Sequence, residues 1–522
     1  MNENRADVVI AGAGPNGLLL AGELALAGVR PVVLERLPSP DIELKANGIV
    51  GQANRVLDLR GLYQRLSGSD QPPQPMDAYI FAGMQVPFVD VGDNPMYGML
   101  IQQPRVVRDL VAWLSGLGVE IRWAHELTDI EPGADGVALT VASPEGRHGL
   151  HATYLVGADG GRSQVRKSIG VEFPGLTTDM VARVAHVSLP EELRTSDGGL
   201  DIPGYGRIPF GHNRFDRGVL IYAGFEPGRP MVGTIEYGSL LPDDAPPLTI
   251  AELRESAGRV LGVDLPIEPP TGPGPHASRR INGQNTRQAE QYRVGDVFLV
   301  GDAAHVHSAM GGPGLNLGMQ DAVNLGWKLA AAVQGWAPPG LLDSYHTERY
   351  PAGQRVMMHS MAQAALMAAG PEVTALRTLF GELLSTPDGA SHIANLLAGS
   401  DVRYDVGDAH PLSGLLIPDL VLEDGRRIAE LMHTGRPLLL DLSGGTYADA
   451  AQGWRDRVDI AVGVVPDRPM AAMLIRPDGY VAWAADSPGC VGLRAALERW
   501  FGREGTEGTA SVRMGQANRD IA

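Results

Sequence analysis

Strand-like and helix-like patterns of apolar residues alternate over the first third of this chain. Residues 8–11 form a short apolar run rich in β-branched residues, which predicts a buried strand. Residues Pro15–Ala27 have helical spacing and end at a glycine, and Pro31–Leu34 predict a second strand. Further along, the same rhythm predicts a helix over Arg105–Leu117 and strands over Val119–Trp123, Val137–Val141 and Ala152–Val156. The pattern therefore predicts an α/β fold that begins at the first strand.

The rhythm changes in the middle of the chain. Residues 176–284 are rich in proline and glycine, with strand-like runs at Val219–Ala223 and Met231–Glu236, which predicts an inserted, sheet-rich domain. The α/β pattern returns at Val297. Two helices are predicted after it, over Leu315–Gly335 and over Leu341–Ala369 with a bend at Pro351.

A third region begins near residue 400 with loops punctuated by proline and glycine. Its apolar runs predict a final helix over Gly492–Trp500, preceded by strands over Pro437–Asp441, Val458–Gly463, Ala472–Ile475 and Tyr480–Ala484. The pattern thus divides the chain into a first domain of residues 1–175 plus 285–395, an inserted domain of residues 176–284 and a third α/β domain of residues 400–522.

The turn after the first strand carries a dinucleotide signature. Gly12 allows a tight turn, Gly14 lets a pyrophosphate approach the backbone, and Gly17 lets the following helix pack closely on the strand. The free N–H groups of that helix favour an anion. Glu35, at the end of the second strand, can accept both ribose hydroxyls. Strand, helix, strand and acid in this order predict a bound dinucleotide.

Three later segments extend this site. Residues 155–166 form a strand and a Gly/Asp turn at Asp159, where Arg162 and Arg166 can balance a pyrophosphate or form ion pairs. Asp302 follows an apolar strand, and its carboxylate can hold a ribityl hydroxyl. Residues 311–316 open a long helix whose N–H groups can stabilise charge on a reduced flavin. Together the segments indicate FAD.

Composition and charge exclude several classes of function. The chain has 522 residues, so two or three domains are expected. A net charge of −18 argues against nucleic acid or an anionic membrane as a partner, and no apolar run is long enough to span a bilayer. Cys490 is the only cysteine, which excludes a disulfide within the chain, a redox cysteine pair and a multi-cysteine zinc site. We expect a cytoplasmic monomer or homodimer.

These motifs resemble those of the single-component FAD-dependent aromatic hydroxylases, the group A flavoprotein monooxygenases. Within that family the chain is most similar to actinobacterial polyketide-tailoring enzymes, such as aklavinone, angucycline and anhydrotetracycline hydroxylases and rifamycin monooxygenases. Residues 314–329, 342–351 and 474–483 carry further parts of the resemblance, which covers essentially the whole chain. Two stretches depart from the family pattern: residues 305–314 replace a proline-rich run, and Gln52 stands where an arginine is expected.

The resemblance implies a Rossmann-like FAD-binding domain with an inserted substrate domain and a C-terminal thioredoxin-like domain. The third domain lacks a redox cysteine pair, so its implied role is structural. The implied residues of the FAD site are Gly12, Gly14, Pro15, Asn16, Gly17, Glu35, Arg36, Lys45, Gln103, Leu127, Asp159, Gly301, Asp302, Pro313, Gly314, Leu315 and Asn316.

The implied activity is an NAD(P)H- and O₂-dependent monooxygenation of a small polycyclic aromatic substrate in antibiotic biosynthesis. Oxygen would be transferred from a flavin C4a-hydroperoxide, with NADPH as the transient reductant. Hydroxylation leads among the alternatives; Baeyer–Villiger oxygenation of a polyketide ketone and an idle FAD-bound polyketide-binding protein remain open.

The residues around the substrate are less well specified by the sequence. No catalytic base is evident, and we favour a structural or flavin-edge role over metal binding for His305 and His307. Lys45 and Gln52 are either flavin-edge contacts or ordinary loop residues. The candidates for the pocket wall, each of which could equally belong to the core, are Met96, Tyr97, Phe210 and Tyr222.

Overall fold

The first strand, Arg5–Ala11, lies inside an eight-stranded sheet. The computed structural model describes residues 4–224, 228–238, 240–242, 244–308, 310–466, 470–489 and 491–505, so Cys490 lies outside the described residues. The main path of the sheet runs in the order Arg293–Val294, Val297–Leu299, Gly146–Gly157, Arg5–Ala11, Val32–Glu35 and Glu120–Trp123. The central pairs are parallel. Gly136–Ser143 extends the sheet by pairing antiparallel with Gly146–Gly157, and Glu126–Gly133 pairs antiparallel with Gly136–Ser143.

Helices cover this parallel sheet, as expected when both faces are apolar. The long helix Pro313–Val333 packs against Pro15–Leu26, and seventeen of its residues are buried. The other helices of the first 400 residues are Gln52–Asp58, Tyr63–Ser67, Gln103–Gly116, Gln164–Ser168, Ile250–Leu261, Asp343–Met367, Pro371–Leu384 and Pro387–Ala398. The predicted helix over Leu341–Ala369 is Asp343–Met367, which continues through Pro351.

A second sheet, of six antiparallel strands, is built mainly from the central part of the chain. Its order is Gly211–Phe215, Gly218–Ala223, Met231–Tyr237, Gly175–His186, Ser278–Gln288 and His305–Val306. The helix Ile250–Leu261 packs on one face through Leu253 and Val260. The other face is turned away from this helix and is available to line a cavity.

Three two-stranded sheets complete the first two-thirds of the chain. Their strand pairs are Gly48–Val50 with Gly98–Leu100, Ala78–Phe81 with Met84–Pro87, and Leu200–Ile202 with Gly206–Ile208. Phe81 stacks on Phe380 of the helix Pro371–Leu384, with ring centroids 5.6 Å apart. That helix and the second sheet contribute residues, such as Val219 of the sheet, to one shared core cluster. The core therefore gives no boundary between the first and the inserted domain here, and the predicted domain bounds, including the one at residue 395, stay predictions.

The last region forms a four-stranded sheet in the order Asp459–Val462, Leu438–Asp441, Ala472–Ile475 and Val481–Ala485. Its helices are Ile428–Leu431, Thr446–Ala450 and Leu493–Phe501. Single 3₁₀ turns occur at Glu191–Leu193, Gly301–Ala303 and Gln452–Trp454. Among the described residues, none of the helices has the length and apolar character that crossing a membrane requires.

Buried charges join this third region to the first domain. Glu348 of the helix Asp343–Met367 accepts hydrogen bonds from Arg476 at 2.6 and 2.8 Å and from Lys328 at 2.7 Å. Asp478 also pairs with Arg476. We call these four residues, Lys328, Glu348, Arg476 and Asp478, the interdomain charge cluster. Two carboxylates and two cations balance one another at a site from which water is excluded.

Candidate active site

A cavity of about 1270 Å³ opens at the carboxyl ends of the parallel strands and extends to the second sheet. One end is lined by the turn after Arg5–Ala11, by Glu35 and by the turn at Asp159. The other end is lined by the apolar face of the second sheet, including Met180 and Ile221. The carboxyl edge of a parallel sheet is where such folds ordinarily bind their ligands.

The first turn and Glu35 are held together by hydrogen bonds. Glu35 accepts the N–H of Ala13 at 2.8 Å through one carboxylate oxygen and the N–H of Leu37 at 2.9 Å through the other. Gly12 has a φ of +111°, which favours glycine in this turn. The carboxylate therefore lies at the cavity wall in a fixed orientation, as binding a ribose requires.

The Asp159 turn shows how the second anionic segment is built. One oxygen of Asp159 caps the helix Gln164–Ser168, accepting the N–H groups of Gln164 at 2.7 Å and Val165 at 3.1 Å. Arg166 points away from the cavity: its guanidinium donates to backbone carbonyls and lies 3.7 Å from the ring centroid of Phe173. Arg162 lies on the cavity wall, so of the two arginines it is the one placed to meet a ligand.

The Gly301–Asp302 turn is held from behind by a buried pair. Asp321 accepts hydrogen bonds from Arg349 at 2.7 Å and from the backbone N–H of Gly301 at 3.3 Å. Nε2 of His305 lies 2.6 Å from the same carboxylate. Arg349 also donates to Tyr404 of the third region at 2.9 Å, so both domains support this turn.

Two titratable groups of the turn face the cavity with shifted pKa values. Asp302 is open to the cavity but otherwise enclosed by protein, and burial raises the pKa of its carboxyl group. Burial lowers the pKa of His307 to about 3, so its imidazole is neutral at physiological pH. The described residues contain no group of three or more His, Cys, Asp or Glu side chains that could hold a metal.

The loop before the long helix lies between the two ends of the cavity. Gly311, Gly312, Gly314 and Leu315 are on the wall. Tyr79, from the hairpin Ala78–Pro87, donates a hydrogen bond to the carbonyl of Gly311 at 3.3 Å. This contact ties the hairpin to the segment whose N–H groups are expected to stabilise charge on the reduced flavin.

Most of the residues predicted for the FAD site come together on this cavity. On the wall are Gly12, Gly14, Pro15, Asn16, Glu35, Arg36, Lys45, Gln103, Leu127, Asp159, Asp302, Gly314 and Leu315. Gly17, Gly301, Pro313 and Asn316 are not on the wall. The amide oxygen of Asn316 accepts the N–H of Val50 at 2.8 Å, which fixes the long helix to a neighbouring strand.

The loop candidates Lys45 and Gln52 have different positions. Lys45 lies on the wall and pairs with Asp41 at 2.7 Å and Glu43 at 3.3 Å. Gln52 is the first residue of the helix Gln52–Asp58 and is mostly buried away from the cavity. Of the two, Lys45 is therefore the one placed to contact a flavin edge.

Of the four candidates for the substrate wall, only Phe210 lies on the cavity. Met96 belongs to the core around Phe81, and the ring of Tyr97 faces Arg55 at 5.6 Å. Tyr222 packs with the helix Ile250–Leu261, because its neighbours along the strand take the cavity side. The sequence could not show which face of this sheet would be covered by a helix.

The wall contains polar residues that the sequence did not identify. Tyr79 lies in a short hairpin, and His212 and Arg279 lie on strands of the second sheet. None of the three belongs to a glycine-rich or acidic motif. The alternating pattern of residues 78–87 is the signal by which the hairpin of Tyr79 could have been found; His212 and Arg279 carry no comparable signal.

The residues present fit FAD. A Cβ on Gly14 would meet no atom within 4 Å, so the backbone there is open to a phosphate. The side-chain oxygens of Asn16 and Asp159 include one each that is buried without a hydrogen-bond partner in the described part of the chain. Buried polar atoms ordinarily have partners, and a bound dinucleotide would supply them.

Comparisons with known proteins agree with this geometry. Residues 5–360 match the family described as FAD binding domain, and residues 410–504 match the family described as aromatic-ring hydroxylase, C-terminal. The chain is 40% identical over 513 residues to a 12-dehydrotetracycline 5-monooxygenase/anhydrotetracycline 6-monooxygenase from Streptomyces rimosus subsp. rimosus, covering 95% of this chain and 99% of that one.

Two further relatives span nearly the whole chain. A rifampicin monooxygenase from Streptomyces venezuelae is 37% identical over 505 residues, covering 95% of this chain and 98% of that one. The solved structure of an anhydrotetracycline hydroxylase from Streptomyces rimosus has a TM-score of 0.84 at 38% identity, covering 96% of this chain and all of that one. The predicted family and cofactor are confirmed: the chain belongs to the FAD-dependent aromatic-ring monooxygenases.

Proposed function

We propose that this monooxygenase hydroxylates a polycyclic aromatic compound of the polyketide type in the cytoplasm, with NADPH as reductant. The observation that carries the proposal is the continuity of the cavity from the FAD-site residues to the apolar face of the second sheet. Cofactor and substrate would then share one enclosed chamber, so that oxygen could pass between them without meeting bulk water.

The size of the chamber supports two ligands. Sites for one small molecule ordinarily enclose about 300–1,000 Å³, and this cavity exceeds that range at about 1270 Å³. A dinucleotide would occupy the end near Gly14, leaving the sheet end for a second molecule. The wall there is mainly apolar, as fused aromatic rings require; it includes Met180, Ala182, Val184, Ile221, Met231 and Ile235.

In the proposed reaction, one atom of O₂ enters an aromatic C–H bond and the other leaves as water. NADPH provides two electrons and one proton, and solvent provides the second proton. Bound FAD supplies the transfer of electrons from NADPH to O₂. The wall of the second sheet would hold the ring in place, and the Gly311–Leu315 segment would stabilise negative charge at the flavin edge.

Cations at the wall support transient binding of an anionic reductant. The chain carries a net charge of −18, yet Arg36, Lys45, Arg162 and Arg279 all lie on this cavity. Acidic residues share the wall, and Lys45 and Arg279 are already ion-paired, so Arg36 and Arg162 are the cations that can meet a nucleotide phosphate. The names of the relatives, which refer to anhydrotetracycline and rifampicin, support a polycyclic polyketide as the substrate.

Product analysis tests the proposal. The purified holoenzyme is incubated with NADPH, ¹⁸O₂ and a panel of polycyclic phenols and ketones that includes anhydrotetracycline, and mass spectrometry and NMR locate the label. We expect one ¹⁸O atom in a new ring hydroxyl. Label within a new lactone would show that the enzyme performs Baeyer–Villiger oxygenation and not hydroxylation. Binding of panel compounds without stimulated NADPH oxidation would indicate the idle polyketide-binding protein instead.

A further inference from the structure

The substrate end of the cavity has a row of residues that crosses five strands of the second sheet. His212 pairs with Ile221, Ile221 with Gly233, Gly233 with Val184, and Val184 with Arg279. Residues directly opposite one another on neighbouring strands share a face. At about 4.8 Å per strand the row is roughly 19 Å long, so a fused-ring molecule can lie along it.

The middle of this row is apolar, and its two ends are polar. Ile221 and Val184 lie on the cavity, and Gly233 between them has no side chain. His212 occupies one end and Arg279 the other. A flat substrate would therefore contact hydrocarbon over its rings and meet polar groups near its edges.

Three other polar side chains at this end of the cavity, those of Tyr79, Arg279 and His307, already have partners within the protein. The hydroxyl of Tyr79 donates to the carbonyl of Gly311, and Arg279 pairs with Glu43 at 3.2 Å. Nδ1 of His307 lies 2.9 Å from the carbonyl of the next residue. These groups would have to exchange existing contacts in order to bind a substrate.

His212 differs from them. Its Nδ1 is buried and has no hydrogen-bond partner in the part of the chain that the structure describes. Its strand, Gly211–Phe215, is at the edge of the sheet, and its cross-strand neighbour is apolar. Leaving a buried imidazole nitrogen without a partner costs free energy that a ligand can recover.

The chemistry of the ring restricts what that ligand can be. Burial lowers the pKa of His212, so the imidazole is neutral and offers one N–H donor and one nitrogen acceptor. A buried neutral ring disfavours a full charge on its partner and favours a group that donates or accepts a single hydrogen bond. A phenol or enol oxygen does either, and it is the polar group that aromatic polyketides carry on their rings.

We infer that His212 is a specificity residue whose Nδ1 accepts a hydrogen bond from a phenolic or enolic O–H of the aromatic substrate. This inference rests on the proposed function, because it assigns an orienting contact within that substrate site. The hydrogen bond fixes one edge of the ring system at the end of the row, while the apolar side chains in the middle fix its plane.

Ligand binding to the oxidised holoenzyme tests this without turnover. The probes are 2-hydroxyanthraquinone and 2-methoxyanthraquinone, which share their rings but differ in the phenolic O–H, and binding is followed by the change in flavin absorption. We expect the wild type to bind the phenol about tenfold more tightly than the ether, the effect of one hydrogen bond. In His212→Phe this preference should fall below about twofold, with little change for the ether.

Two further variants separate specificity from structure. His212→Asn keeps a hydrogen-bonding group near the position of Nδ1 and should restore most of the preference. Ile221→Val alters the neighbouring side chain of the row and should change both dissociation constants alike, leaving their ratio unchanged. The FAD affinity of all three variants should equal that of the wild type, and their melting temperatures should fall by no more than a few degrees.

The outcomes distinguish this inference from the proposed function. An unchanged phenol preference in His212→Phe would overturn the role of His212 and leave the proposed function standing. Equal binding of the phenol and the ether by the wild type would also overturn the role of His212. Failure of the wild type to bind either probe or any phenol of the product panel would overturn both.

Discussion

Gly14 and Gly17 are three residues apart in the first turn but have different surroundings. A Cβ on Gly14 would enter open space at the cavity, and its φ of −72° is accessible to any residue. A Cβ on Gly17 would lie 2.1 Å from the carbonyl oxygen of Gly12. One glycine therefore leaves room for a ligand, whereas the other leaves room for the protein backbone.

This contrast gives a paired prediction. Gly14→Ala should leave the melting temperature of the apoprotein within about 1 °C of the wild type but weaken FAD binding at least tenfold, because the methyl group occupies the approach of the pyrophosphate. Gly17→Ala should destabilise the apoprotein itself by about 1–3 kcal/mol through overpacking. Thermal unfolding of apoprotein and flavin titration measure the two effects. Equal FAD affinity in Gly14→Ala and wild type would contradict this placement of the pyrophosphate.

Individual site residues could be predicted from the sequence where a turn or a strand end of the backbone forms the site. Gly12, Glu35 and Asp159 lie on one cavity because the chemistry of a turn or a strand end determines their residue type. The substrate wall is different. Tyr222 and His212 lie on neighbouring strands of the second sheet, and only the pairing of the strands decides which one faces the cavity. Register depends on contacts between distant parts of the chain, so local pattern does not reveal it.

Among the elements, the hairpin Ala78–Pro87 joins the two ends of the chamber. Tyr79 contacts the Gly311 carbonyl, and the backbone N–H of Ala82 donates to Gln363 of the helix Asp343–Met367 at 3.1 Å. Phe81 and Phe380 stack on the outer side. The hairpin is thus fixed at three points, one of which is the segment expected to lie at the flavin edge.

Removing one of these points should loosen that segment. Tyr79→Phe leaves the Gly311 carbonyl without its partner, at a cost of about 0.5–1.5 kcal/mol. We expect FAD to bind roughly two- to tenfold more weakly and a larger share of NADPH oxidation to yield hydrogen peroxide instead of hydroxylated product. Peroxide and product are measured together. The exposed Tyr205 provides the control: Tyr205→Phe should leave both quantities unchanged, and an equal effect in both variants would contradict a local role for Tyr79.

Long elements with a clear period were predictable, and short ones were not. The helices Gln103–Gly116 and Pro313–Val333 lie within two residues of their predicted starts and ends. The hairpin at Ala78–Phe81 and the helix Pro387–Ala398 were not predicted. Both are short, and they are stabilised mainly by packing against distant segments.

At the scale of the whole molecule, the interdomain charge cluster holds the third region against the first domain. Burial acts to raise the pKa of Glu348, but Arg476 and Lys328 hold it well below its usual range. Burial lowers the pKa of Lys328 to about 8, so this side chain is still a cation at neutral pH. The carboxylate of Glu348 is therefore needed to compensate two buried positive charges.

Glu348→Gln should strongly destabilise the protein. The substitution keeps the shape of the side chain but leaves Arg476 and Lys328 with only Asp478, and breaking a buried pair costs about 3–5 kcal/mol. Thermal unfolding measures the effect. Glu498→Gln, which disrupts an exposed pair with Arg494, should cost less than about 1 kcal/mol. Similar losses in the two variants would show that the cluster contributes no more than a surface pair.

The same carboxylate predicts an acid dependence of stability. Because the folded-state pKa of Glu348 lies below its unfolded value, the unfolded chain takes up more protons in acid. The contribution of Glu348 is fully present at neutral pH and is lost as the pH falls below the unfolded value of about 4.3. The difference in unfolding free energy between wild type and Glu348→Gln should therefore shrink as the pH is lowered from 7 to about 3. A constant difference would exclude this linkage.

The two faces of the second sheet have a consequence for how such an enzyme acquires new substrates. Ile221 and Val184 face the cavity, whereas their neighbours Tyr222 and Ala185 pack with the helix Ile250–Leu261. Side chains on one face can be exchanged without touching the packing on the other. Substitutions on the cavity face can therefore change the shape of the chamber while the domain keeps its fold. Related chains can then diverge in the molecules they oxidise without first losing stability.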